Sequence, residues 1–317
     1  MTDGNEFNQE APNFMKRWIL SACLFIQLLS QTRGEDFDAS LLAAVERGDL
    51  AGTQKALGQG AKVDVRNEKG RTPLIFAAQA GRLDLVKALV EKGADVNART
   101  TTEIGSSVLS FAVGGKNLEA VKYLIAHGAE VDLRSRNGST PLCHAAARGQ
   151  NDMVALLLSK GADPNLYGLY DTTANYDTAL IVAANSNHID TLELLLSKGA
   201  KVDKRTNKGH TPLMEAAKRP YPAVVKLFIE KGANVNARGS HGHTALIFAA
   251  YNGQNENIKL LLAAGADPLA TATDDPDPDK EYGRYGPEVV ARQQGHPEAL
   301  ALILDAQNRA KSIARKP

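Results

Sequence analysis

Thr72-Pro-Leu-Ile-Phe-Ala-Ala-Gln-Ala-Gly81 followed by Arg82-Leu-Asp-Leu-Val-Lys-Ala-Leu-Val-Glu-Lys-Gly93 decides the fold. Thr72 is placed to cap a helix, and Pro73 fits the first turn, where its missing N–H leaves no bond unmade. Leu74, Phe76, Ala77 and Ala78 give that short helix an apolar face, and Gly81 ends it. Leu83, Leu85, Val86, Leu89 and Val90 recur at helical spacing in a second helix, which Gly93 ends. Asp95-Val-Asn-Ala then leads into a turn. Each helix is too short to stand alone in water.

The same unit recurs through the chain. Gly-Ala stands at Gly60, Gly93, Gly128, Gly161, Gly199, Gly232 and Gly265, at spacings of 33, 35, 33, 38, 33 and 33 residues. Thr72-Pro-Leu is echoed by Thr140-Pro-Leu, Thr178-Ala-Leu, Thr211-Pro-Leu and Thr244-Ala-Leu. Such a period is the signature of a stacked array, in which each unit buries its apolar faces only against its neighbours. The reading is an all-α solenoid of about eight helix-turn-helix units with short β-hairpin-like loops. Residues 35–66 form an N-terminal cap, 67–271 six internal units, 272–284 an acidic Pro-rich insertion, and 285–317 a C-terminal cap with a basic tail.

On these motifs the chain resembles the ankyrin-repeat family over about residues 36–310. It departs from the family at one place. The histidine of the Thr-Pro-Leu-His pattern is replaced by Ile75, Ser110, Cys143, Ile181, Met214 and Ile247, so apolar packing is expected to stand in for its hydrogen bonds. Cys143 accordingly reads as a buried structural thiol.

The resemblance implies protein binding through the hairpin tips and the exposed side of the first helices. Those positions carry Lys69, Arg71, Arg136, Arg148, Lys208 and His210, then Lys218, Arg219, His241 and His243, with Arg47 in the first cap. Acids in the same phase are Glu46, Glu68 and Asp177, so the face counts eight basic groups to three acidic before histidine is included. A basic groove steers and holds an acidic protein segment. Insertions fall near 100–105, 166–176 and 272–285; the last two carry Tyr167, Tyr170, Tyr176, Tyr282 and Tyr285, and tyrosine in projecting loops suits binding hot spots. The expected partner is a protein, with no nucleic acid, no small-molecule substrate and no cofactor, and the chain is expected to be a monomer.

The rest of the sequence narrows the function. A formal net charge of +1 gives no reason to expect nucleic acid. Two cysteines, Cys23 and Cys143, make neither a disulfide framework nor a four-ligand zinc site. Asp274-Asp-Pro-Asp-Pro-Asp279 alternates like a calcium loop, but counting from Asp275 puts Lys280 and Gly286 where Gly and Glu are required. His241, His243 and His210 have no acid or cysteine beside them to complete a metal site. Asn137-Gly-Ser139 is a glycosylation sequon, meaningful only in a eukaryotic source. No nucleophile elbow, Cys-x-x-Cys or His-Glu-x-x-His occurs, so no catalysis is expected.

Met15-Lys-Arg17 followed by the mostly apolar Trp18–Leu29 has the layout of a secretory signal. Twelve residues fall short of the roughly 20 that a membrane-spanning helix needs. The expected cut follows Thr32-Arg-Gly34 and exposes Glu35, giving a periplasmic or secreted protein like the exported bacterial ankyrin-repeat proteins it resembles. The alternatives are a secreted effector that acts inside a host cell, or a membrane-tethered adaptor that retains 18–29 as an anchor. Asp3, Glu6 and Glu10 are unusual ahead of such a signal and point to Met15 as the start.

Overall fold

The computed structural model describes residues 36–102, 104–169, 176–273 and 284–314. The expected signal, the calcium-like run, Tyr170 and Tyr282 lie outside the described residues.

Sixteen helices form eight pairs among the described residues. The first helices are 36–46, Pro73–Gln79, Val108–Gly114, Pro141–Ala147, Ala179–Asn185, Pro212–Ala217, Ala245–Tyr251 and Pro287–Gln293. Their partners are Leu50–Gly58, Leu83–Glu91, Leu118–Ala126, Asn151–Ser159, Ile189–Ser197, Pro222–Glu230, Asn255–Ala263 and Pro297–Ala314. From the second pair on, each first helix packs on the next first helix, and the second helices pack on one another in the same order except between Ile189–Ser197 and Pro222–Glu230, where the contact is weaker, which makes two layers with the core between them. The last helix runs through Ala314, so most of the expected basic tail is helical.

Every internal first helix starts on a side-chain cap. Thr72, Thr140, Thr178, Thr211 and Thr244 each accept from the backbone N–H three residues on, and Ser107 does the same in the third repeat. Each such cap contributes about 0.5–2 kcal/mol. The residues replacing the family histidine are buried as expected: Ile75, Cys143, Ile181, Met214 and Ile247 are at most 2% exposed. Two are more than apolar filler. Met214 Sδ accepts from the Thr211 N–H, and Ser110 Oγ lies 3.1 Å from Ser107 Oγ. Burial raises the Cys143 thiol pKa against the bond from Thr140, which makes it unreactive.

Two insertions form antiparallel hairpins, Gly168–Leu169 with Tyr176–Asp177 and Ala272–Thr273 with Arg284–Tyr285. The shorter insertion is closed by a single bridge between Arg99 and Ser107.

A ladder of Asp and Asn ties the turns together, and it alternates. Asn97, Asn165 and Asn236 each accept from the backbone N–H of Glu130, Lys201 and Asp267 in the next repeat, and donate to the carbonyls of Gly128, Gly199 and Gly265. Asp64, Asp132 and Asp203 accept from Asp95, Asp163 and Asn234, but a carboxylate has no donor for the glycine carbonyl. Asp132 Oδ1 is buried without a partner. Burial raises the carboxyl pKa of Asp64 and Asp132, offset in part by the backbone N–H each accepts. A folded-state pKa above the unfolded one means stability is lost as pH rises through it. Asp132→Asn is therefore expected to stabilise the protein at pH 7 by about 0.5–1 kcal/mol. Urea midpoints check this, and a variant less stable than the parent contradicts it.

Candidate functional site

The fourth residue after each cap defines a row along the first-helix face: Phe76, Phe111, His144, Val182, Glu215 and Phe248. Helical geometry places this residue beside the residue preceding the cap, which carries Arg71, His210, His243 and Tyr285 in the corresponding repeats.

At repeats six to eight these two rows converge. His210 Nδ1 lies 2.7 Å from Glu215 Oε1, and Lys218 Nζ donates to both Glu215 oxygens at 2.7 and 2.8 Å. Burial alone would raise the Glu215 carboxyl pKa; the His210 hydrogen bond and the Lys218 ammonium overcome this and lower it to about 2. Lys218 Nζ also sits 4.3 Å from the Phe248 ring centroid. The His243 ring stacks on Phe248 at 5.2 Å and 13°, and the His210 ring meets Phe248 edge-on at 4.8 Å. His243 Nδ1 lies 2.9 Å from the Ser240 carbonyl oxygen and Nε2 2.8 Å from Tyr285 Oη. Because a carbonyl only accepts, Nδ1 carries a proton, and in the neutral ring Tyr285 donates to Nε2. A cavity of about 600 Å³ opens beside this cluster, lined by Lys218, His243, Ile247, Phe248, Tyr251, Asn252, Tyr285, Val290 and Gln293. Tyr251 is 51% exposed there.

The other sequence-selected cations are distributed over the first seven repeats, at hairpin loops and at first-helix ends. Lys69, Arg136, Arg148, Lys208 and Arg219 are exposed, as are Arg47 and His241. The Arg71 guanidinium lies 5.7 and 5.4 Å from the Phe76 and Phe111 centroids and donates to Gln79. Arg148 donates to the His144 carbonyl and Arg136 to that of Thr101. Of the lysines and arginines selected from sequence, Lys218 is the one ion-paired to a carboxylate among the described residues, and it shares that carboxylate with His210. Tyr167 is half-buried under the Lys204 ammonium, 4.5 Å from its ring centroid, and the backbone of Tyr176 pairs with Leu169.

Sequence reasoning missed Glu215, Phe248 and Tyr251. It counted three acids on this face, and Glu215 makes a fourth that neutralises Lys218. The signal was available: Glu215 stands where three other repeats carry Phe76, Phe111 and Phe248. Among the described residues no three His, Cys, Asp or Glu side chains are grouped to hold a metal. No described helix is long and apolar enough to cross a membrane.

His144 in the same row has its Nε2 buried without a partner. Burial, then the Arg148 charge, lowers its pKa to about 4. A depressed folded-state pKa makes stability complete above about pH 6.5 and erodes it as pH falls toward 4, since the unfolded chain takes up the proton first. His144→Phe, matching its neighbours in the row, is expected to recover about 2–3 kcal/mol at pH 4.5 relative to its effect at pH 7. Parallel urea titrations at the two pH values test this; equal differences at both would refute it.

Comparison with known proteins agrees with this architecture. A family model described as ankyrin repeats, in three copies, matches residues 23–100, 40–135, 99–168 and 180–272. Ankyrin repeat domain-containing protein 17 of Mus musculus is 43% identical over 79 residues, which is 25% of this chain and 3% of that protein. Ankyrin repeat and KH domain-containing protein mask-1 of Caenorhabditis elegans is 31% identical over 176 residues, 55% of this chain and 6% of that one. The chain thus spans a small fraction of these relatives. The crystal structure of the human ASB11 ankyrin repeat domain superposes with a TM-score of 0.62 at 27% identity, covering 72% of this chain and 99% of that one.

Proposed function

The chain belongs to the ankyrin-repeat family, whose repeats are protein–protein interaction modules and generally non-catalytic, and from that premise we propose that it binds a partner protein along the first-helix face. The observation that carries the reading is a set of cations that make no ion pair among the described residues, Arg71, Arg136, Arg148, Lys208 and Arg219, on repeats two to six ahead of the aromatic cavity at repeats six to eight. Cations that are not neutralised within the protein attract an acidic segment and orient it across the set. The partner is an acidic protein segment, bound by a monomeric scaffold that performs no chemistry on it.

Changing the exposed Arg136, Arg148, Lys208 and Arg219 together to Glu is expected to abolish capture of the partner from the source cell while leaving the thermal melt intact. Lys218 is spared because it holds Glu215. Capture of the same partner by the folded variant would move binding off this face.

The N-terminal layout supports export with cleavage after Gly34, to the periplasm in a bacterial source. N-terminal sequencing of the mature protein is expected to begin at Glu35. A membrane-bound chain retaining 18–29 would establish a tethered adaptor instead.

A further inference from the structure

We propose that the cavity between repeats six and eight is an anchor pocket for one large apolar side chain of the partner, flanked in the partner by acidic residues at set spacings. This rests on the reading that the first-helix face binds protein.

The chemistry of the walls selects the anchor. Ile247 and Val290, 2% and 5% exposed, form an apolar base, and the rings of Phe248, Tyr251 and Tyr285 surround it. The one ammonium on the wall, Lys218, already holds both oxygens of Glu215, so the pocket supplies no uncommitted charge for a carboxylate. A cationic side chain would meet that same ammonium. An uncharged ring or branched aliphatic chain meets neither cost. A volume of about 600 Å³ accommodates such a side chain with its neighbouring backbone. The wall is held in place before binding, since Lys218 and His243 are fixed by hydrogen bonds and ring stacking, so little side-chain freedom is lost on contact. Tyr251, at 51% exposure, supplies apolar area that only a ligand would cover.

The partner's acids must lie outside the pocket, over the unpaired cations. Arg219 is one repeat from the cavity's centre on repeat seven, and Arg148 is three. Packed helices are about 8–10 Å apart. An extended peptide advances about 3.3–3.6 Å per residue. The acids are therefore expected about two to three and about seven to nine residues from the anchor, on the same side of it.

The probe is a random 16-residue peptide library displayed on phage, selected against the described protein in its full length. Enriched peptides are then measured by fluorescence anisotropy. The expected result is a shared aromatic or large aliphatic residue with acids at those spacings. Tyr251→Ser should weaken binding at least tenfold, and Gln293→Trp, which fills the cavity from its exposed rim, should do the same. The Glu variants at Arg148 and Arg219 should weaken it separately, with salt. If peptides bind and both pocket variants stay within twofold, the pocket assignment falls while the face remains the binding surface. If neither the pocket variants nor the charge reversals matter, both readings fall. A selection that enriches no peptide also overturns both.

Discussion

Replacing Phe228 with alanine is expected to destabilise the protein by about 3–5 kcal/mol, in the range for deleting a fully buried ring. Phe228 is completely buried, on the second helix of the sixth repeat. It occupies the register position held by Leu89, Leu124, Leu157, Leu195 and Leu261 in the other internal repeats, all of them fully buried. The position demands a large apolar group; the ring is one way of supplying it. Phe228→Leu should accordingly cost under about 1.5 kcal/mol, as a near volume-conserving exchange. Because each repeat is stabilised through its neighbours, the alanine variant should also broaden the urea transition by uncoupling repeats on either side. A loss below 1.5 kcal/mol for alanine would mean that the site collapses around the missing ring, and that the sixth repeat is packed less tightly than its burial indicates.

The second large effect separates two adjacent glycines. Gly115→Ala is expected to cost about 1–3 kcal/mol, whereas Gly114→Ala should gain about 0.5–1 kcal/mol. A Cβ on Gly114, inside its helix, meets nothing within 4 Å, so alanine only reduces the freedom of the unfolded chain. A Cβ on Gly115 would run into the Ala78 carbonyl oxygen, with Gln79 O and Gly81 N each at 2.9 Å. Those are backbone atoms of the second repeat, and Asn117 pins the same turn by donating to the Gly81 carbonyl at 2.7 Å. The backbone of Gly115 itself is ordinary, with φ −72. The requirement for glycine there is purely one of approach between repeats. Thermal and urea unfolding of the two single variants decides it, and a shared sign would refute the argument.

Much of the fold was legible because its signals are local. The threonine caps, the positive-φ glycines at Gly81 and Gly93, and the helical spacing of Leu85, Val86 and Leu89 each act within one repeat. Recurrence then multiplied a weak motif into a firm assignment. The site was legible only in part. The cations could be assigned to loops and first-helix ends by phase, since phase is preserved from repeat to repeat. Which of them are neutralised could not, because Glu215 reaches His210 and Lys218 only once the first helix has turned. Tyr285 was selected as a loop residue; the structure brings it to His243 in the preceding repeat.

The sequence by itself determined the repeat, its helix ends and the apolar layer. All of these follow from interactions a few residues apart, repeated at a fixed period. Only the tertiary structure decided the alternating Asp and Asn ladder, the closeness of Gly115 to the second repeat, and the aromatic cavity. Each joins residues about one repeat or more apart, and their separation depends on how the helix pairs stack, which no local propensity specifies.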